Sequence, residues 1–395
     1  MITKCKYCGG ALKFDADIQV MVCEHCTSMF PVEETEEEKK LAEDADSPSP
    51  GEKDYLPDLM DFNLYECKSC GAKLVLNDVE TATYCAYCGQ PTIVFDRIAK
   101  RRRPKSIIPF SITKDYAIAN IREKFMQGEF VPDEIKYFKP DLLRGIYVPY
   151  LLYDIRYKDK QLIKGRYTSK EENESYTRYY YREAAGSFVN IPVDASDRLS
   201  NESSERLEPF YDRDMVDFKV EYLSGYYADL MDSDPEHLKT IALSRAREMF
   251  NEQVQKSTPA TDCKILDNRP HFAFENEQYV LLPVWFMIFH KDDQAYTILV
   301  NGQTGKVVGG LPANQDKVIR RSLLFGIILA VLGFLILPAM WAMGEDMREW
   351  ANYILMFGIP TLTLGGYRNV KSLKKSLDLT KEKTIRDFVS ERQDS

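Results

Sequence analysis

Apolar residues recur at helical spacing twice in the middle of the chain. Tyr116, Ile118, Ile121 and Phe125 mark one face of a helix over 114–127, and Leu238, Ile241, Leu243, Ala246 and Phe250 mark a second over 235–255. Each helix is followed by alternating, β-branched and aromatic stretches that predict strands: 145–157, 161–168 and 176–187 after the first, and 279–290, 295–301 and 306–308 after the second. The pieces Tyr147-Val148-Pro149-Tyr150-Leu151-Leu152-Tyr153 and Leu282-Pro283-Val284-Trp285-Phe286-Met287 look alike. The pattern therefore predicts a core over 106–312 built by duplication, with halves 106–205 and 206–312, each a helix packed on an antiparallel meander.

Beyond the core the pattern changes. Residues 322–344 form an uncharged apolar run long enough, at about 1.5 Å per residue, to span a hydrocarbon layer of about 30 Å. A second, shorter run covers 350–366 after an acidic break. Lys317, Arg320 and Arg321 precede the first run, and Arg368, Lys371, Lys374 and Lys375 follow the second. By the positive-inside rule these flanks predict a two-span protein of the cell membrane with both termini in the cytoplasm and 367–395 as a charged cytoplasmic tail.

The cysteines change the picture most at the other end. Eight of nine fall into two copies of one pattern, Cys5-x2-Cys8-x14-Cys23-x2-Cys26 and Cys67-x2-Cys70-x14-Cys85-x2-Cys88. Two intervening residues make a knuckle that offers both sulfurs to one metal, and two knuckles close a tetrahedron. Four thiolates suit Zn2+, so two structural zinc ions are expected, in ribbons over 1–30 and 62–95. A rubredoxin-like iron site would use the same ligands. Disulfides would need an oxidising compartment, and the opening Met-Ile-Thr-Lys-Cys has no signal-peptide pattern. A ribbon of about 30 residues buries too little surface to hold itself, so metal must supply its folding energy. Gly9, Gly71 and Gly89 follow three knuckles, where positive φ is needed; Thr27 follows the fourth, which is expected to be strained. His25 reads as a surface residue and Cys263 as a buried strand thiol.

Net charge is −9, and its placement matters more than its size. Between Glu33 and Asp61 twelve acidic residues face three lysines, which by itself gives −9. With Ser47-Pro48-Ser49-Pro50-Gly51 inside it, 31–61 reads as a flexible acidic linker. Lys100-Arg101-Arg102-Arg103 places a basic hinge at 96–105, suited to anionic lipid or to solvent. No phosphate loop, zincin, nucleophile-elbow or dinucleotide motif is present, so no catalytic residue is assigned. Asn301-Gly302-Gln303-Thr304-Gly305-Lys306 reads as a hairpin turn, and Tyr179-Tyr180-Tyr181 as sheet filling.

The duplicated ribbon, Ile107-Ile108-Pro109-Phe110, Gly145-Ile146-Tyr147-Val148-Pro149-Tyr150 and Val300-Asn301-Gly302-Gln303-Thr304-Gly305-Lys306 together resemble a bacterial family of TFIIB-type zinc-ribbon membrane proteins. The resemblance implies a scaffold at the inner membrane face that docks phage-shock protein A-like or SPFH (flotillin-like) proteins. The expected fold class is α+β: two small four-cysteine zinc ribbons, a duplicated helix-plus-meander core and a C-terminal transmembrane helical hairpin. The expected partners are proteins and membrane lipid. Nucleic acid binding through the ribbons is the alternative, and their near-neutral charge argues against it.

Overall fold

The computed structural model describes residues 4–32, 59–76, 84–91, 93–126, 138, 143–168, 175–196, 198, 201–291 and 294–309. Three strands, β1 (Leu12–Asp15), β2 (Val20–Cys23) and β3 (Met29–Phe30), form a small sheet of their own. The second cysteine ribbon contributes β4 (Leu59–Cys67), β5 (Lys73–Val75) and β6 (Ile93–Arg102) to one edge of a twelve-stranded sheet.

The centre of that sheet is β8 (Arg144–Thr168) paired antiparallel with β13 (His271–Lys291). Around the facing pair Val148 and Leu282 the arrangement is two-fold. β7 (Ser106–Ile107) runs parallel to β13 at Val280 and Leu281, while β11 (Tyr227–Asp229) runs parallel to β8 at Ile146 and Tyr147. Each half thus lends a short strand to the other half's long strand. β9 (Ser175–Asp194) returns along β8, and β14 (Gln294–Asn301) returns along β13 with β15 (Val307–Gly309) outside it. Short β10 (Val216–Asp217) pairs with β7, and β12 (Thr261–Asn268) extends the distal part of β8.

Helix α1 (Lys114–Met126) starts where the Thr113 hydroxyl accepts from the Tyr116 N–H. It buries Ala117, Ile118 and Ile121 in the same cluster as Ile298 and Val300. A short helix, α2 (Asn201–Leu207), precedes the longest, α3 (Pro235–Lys256), which is capped by Asp234 with Pro235 in its first turn. α3 buries one stripe, Leu238, Ala242, Ala246, Phe250 and Val254, over the hairpin of β8 and β9.

Three segments singled out in the sequence meet at one aromatic cluster. The Phe110 ring stacks on Tyr226 at 4.2 Å and meets Tyr147 and Trp285 at 5.0 Å each. Gly145 and Gly302 are required by this approach: a Cβ would come within 2.4 Å of Tyr226 at the first and 2.7 Å of Phe110 at the second. The turn at Asn301 is a side-chain staple. Its Oδ1 accepts from the N–H groups of Gln303 and Thr304, and its Nδ2 donates to Leu207 O and Pro209 O.

Several expectations are corrected. The expected α+β class with a transmembrane helical hairpin gives way to a predominantly β architecture, and the expected two-span membrane localisation loses its support. Among the described residues no helix is long and apolar enough to cross a membrane. The longest, α3, is amphipathic, with one apolar stripe and charges elsewhere. The spans expected at 322–344 and 350–366, the 367–395 tail and most of the 31–61 linker lie outside the described residues. The linker's last residues, 59–61, are already strand β4, and the expected hinge at 96–105 is largely β6, with Asp61 opposite Lys100 and Leu59 opposite Arg102. The strands predicted at 145–157 and 161–168 are one, because the charged stretch between them holds a satisfied buried carboxylate. Asp159 accepts from Arg269 N at 2.8 Å, Gln161 Nε2 at 2.8 Å and Asn268 Nδ2 at 3.3 Å.

Candidate metal centres

All four knuckles share one backbone design. The N–H of the residue after the second cysteine donates to the carbonyl of the first: Gly9 to Cys5, Thr27 to Cys23, Gly71 to Cys67 and Gly89 to Cys85, at 2.7–3.0 Å. Each of those four residues has φ between +58° and +71°. This conformation is free for glycine and unfavourable for a β-branched residue, so the strain expected at Thr27 is present.

The knuckles bring the thiols together in two groups, Cys5, Cys8, Cys23 and Cys26, and Cys67, Cys70, Cys85 and Cys88, with all sulfurs of a group within 4.8 Å. Separations of 3.5 Å (Cys5 to Cys26 and Cys8 to Cys23), 3.6 Å (Cys67 to Cys88) and 3.7 Å (Cys70 to Cys85) approach the edge of a tetrahedron whose metal–sulfur distance is 2.3 Å, about 3.8 Å. The donor set therefore fits one ion per ribbon. His25 is exposed and outside both groups, and Cys263 is half-buried against Ala260 O.

Electrostatics favour a cation among the sulfurs of the second group. Cys67 and Cys70 push the Cys85 thiol far up, because closely packed sulfurs resist ionising together without a positive charge among them. In the first group Ser28 works the other way. Its hydroxyl, 3.2 Å from Cys26 Sγ, and then its N–H hold that thiol down to about 6.

The two centres differ in their surroundings. Ribbon 1 attaches through its hairpin: Phe14 N donates to Ser224 O at 3.1 Å, Gln19 Nε2 to Phe110 O at 2.7 Å, and the Phe14 ring meets Tyr222 edge-on at 5.1 Å. Cys8 is exposed and Cys26 half-buried. In ribbon 2 all four cysteines are buried. β5 is hydrogen-bonded to β11, and the cysteines join one apolar cluster with Ile146, Val148, Leu282 and Phe286. Tyr87, inside the second knuckle, meets Phe286 edge-on at 5.2 Å and donates to Asp229 Oδ2 at 2.6 Å. Ser196 also donates to that oxygen, and burial holds the Asp229 carboxyl up at about 6. Arg198 donates to Gly71 O, and Tyr227 and Arg144 donate to Tyr84 O. None of these contacts is visible in the cysteine spacing, because each pairs a knuckle residue with one far along the chain.

Thr27 offers a direct check of the knuckle geometry. Thr27→Gly removes a left-handed penalty of about 1–2 kcal/mol and adds back part of it as unfolded-chain entropy. Metal affinity at ribbon 1 should rise about fivefold in a chelator competition. Weaker binding would show that the Thr27 hydroxyl bond to Cys26 O, 2.7 Å long, outweighs the strain.

YdjG of Bacillus subtilis, itself an uncharacterized protein, is 28% identical over 239 residues, covering 57% of this chain and 69% of that protein. No family model and no solved structure matches the chain.

Proposed function

We propose that the protein is a zinc-ribbon scaffold: both four-cysteine groups hold structural Zn2+, and ribbon 1 presents a docking surface for protein partners. The observation that carries this reading is the apolar surface at the outer end of ribbon 1. Tyr7, inside the first knuckle, is 80% exposed and stacks on Phe30 at 5.7 Å, while neighbouring Met29 is 64% exposed. A metal-fixed knuckle sets the backbone beneath Tyr7, and an exposed aromatic ring beside an adaptable thioether suits the centre of a protein interface. Zinc is the occupant that a closed set of four thiolates favours.

The family resemblance supplies partners for this reading, phage-shock protein A-like or SPFH proteins. Ribbon contact with nucleic acid has less support, since Lys13 pairs with Glu24 and Lys68 with Glu66. Tyr7→Ser/Met29→Ser should weaken capture of such a partner roughly 10- to 100-fold in a crosslinked co-purification, with both metals retained. Undiminished capture, or a partner retained only through other surfaces, would reject ribbon 1 as the docking site.

A further inference from the structure

The outward face of the β8 and β9 hairpin is built unlike a merely solvated sheet. Along the side of β8 that α3 does not cover, Lys158, Lys160, Leu162, Lys164 and Arg166 alternate into solvent. The register sets Tyr181 of β9 opposite Leu162 and Tyr179 opposite Lys164. These two rings are 63% and 62% exposed, whereas Tyr180 between them turns inward to the cluster of Tyr157, Ile163 and Phe250. The tyrosine triplet therefore splits: one ring fills the core and two stand about 7 Å apart on a basic face.

On the other side of β8, Lys264 of β12 lies directly across from Lys164. Like charges facing each other across a strand pair destabilise a sheet. The carboxylates nearby do not relieve them. Glu183 bridges Lys158 and Lys160 at 3.3 and 3.4 Å, and Asp262 pairs with Arg166 at 3.3 Å. Among the described residues neither Lys164 nor Lys264 has an ion-pair partner, and Asp267, across from Leu162, pairs with neither.

Two exposed stacking rings beside two uncompensated lysines match a chain that carries bases and phosphates in alternation. We propose that this face binds single-stranded RNA, with Tyr179 and Tyr181 stacking on successive bases and Lys164 and Lys264 meeting the phosphodiester backbone. RNA fits better than DNA because Glu183 shares the face. Glu183, already held by Lys158 and Lys160, keeps acceptor lone pairs for a ribose 2′-hydroxyl, a donor that deoxyribose lacks. The ribbons take no part.

The test uses the full chain and a fluorescent uridine oligomer of about 20 nucleotides, with anisotropy read between about 50 and 200 mM salt. Tyr179→Ala/Tyr181→Ala should lower affinity at least about tenfold while leaving the salt dependence unchanged. Lys164→Ala/Lys264→Ala should weaken binding and reduce the slope of log K against log salt by about 1.4, two phosphates at about 0.7 each. All four side chains are exposed, so metal content and circular dichroism should match the unsubstituted chain. A thymidine deoxyoligomer should bind several-fold more weakly. No saturable binding, binding unaffected by both double variants, or equal retention of polyglutamate would overturn the proposal, as would a protein partner held by these tyrosines without RNA. Equal affinity for the deoxyoligomer would overturn the choice of RNA.

Discussion

Cys67→Ser or Cys85→Ser should abolish the main thermal unfolding transition of the protein, while Cys5→Ser should leave it largely in place. Ribbon 2 is built into the central sheet. Its cysteines sit in the same apolar cluster as Ile146, Val148 and Phe286, and β5 is hydrogen-bonded to β11, which in turn lies on β8. Metal binding at a closed thiolate site supplies about 10 kcal/mol or more, comparable with the whole of roughly 5–15 kcal/mol that stabilises an ordinary domain. Loss of that ion also strands Tyr87, whose hydroxyl bond to buried Asp229 and contact with Phe286 depend on the knuckle. Ribbon 1 has its own three-stranded sheet, so its loss uncovers the part of the main apolar cluster that Leu12, Phe14, Ala16 and Met21 cover but breaks no strand pairing of the large sheet. Circular dichroism melts of the two variants decide the matter. A Cys67→Ser chain that melts like the unsubstituted protein would show that the ribbon is an appendage.

The second large effect is kinetic. A chelator should strip ribbon 1 on the order of 100-fold faster than ribbon 2. Cys8 is exposed and Cys26 half-buried, so a competing ligand reaches the first site with little rearrangement. The second site is closed by Tyr87, Arg144 and Arg198, and its metal is accessible only when that region opens. About 3 kcal/mol of additional opening free energy gives the expected ratio. Release monitored with a chromophoric chelator should show two phases of equal amplitude, and Cys8→Ser should remove the fast one. One phase, or loss of the slow phase in Cys8→Ser, would contradict the difference in closure.

The two four-cysteine groups were legible because their geometry is local: two residues between cysteines, a positive-φ position after each pair, and strain wherever that position is not glycine. Both long helices were legible from their apolar stripes. What could not be read was pairing at a distance. Residues 96–102 looked like a hinge because β6 lies at the sheet edge and is exposed on both sides, which hides the alternation of a strand, and 59–61 looked like linker because that end of β4 pairs only with β6. Lys158-Asp159-Lys160 looked like a break between strands because nothing nearby in sequence shows that Asn268 and Arg269 satisfy Asp159. Tyr179 and Tyr181 looked like filling for the same reason. Their basic neighbours come from β8 and β12, interleaved by register rather than by sequence. The membrane expectation was read from the apolar length of 322–344 and 350–366 and from their basic flanks; those segments lie outside the described residues, and among the described residues no helix is long and apolar enough to cross a membrane.

Native mass spectrometry of the full chain, purified without added metal, tests the central claim most directly. Two zinc ions per chain are predicted, falling to one after brief chelation with the β structure intact. A chain carrying iron, a chain with disulfides and no metal, or one that loses both ions together with its fold would contradict the account.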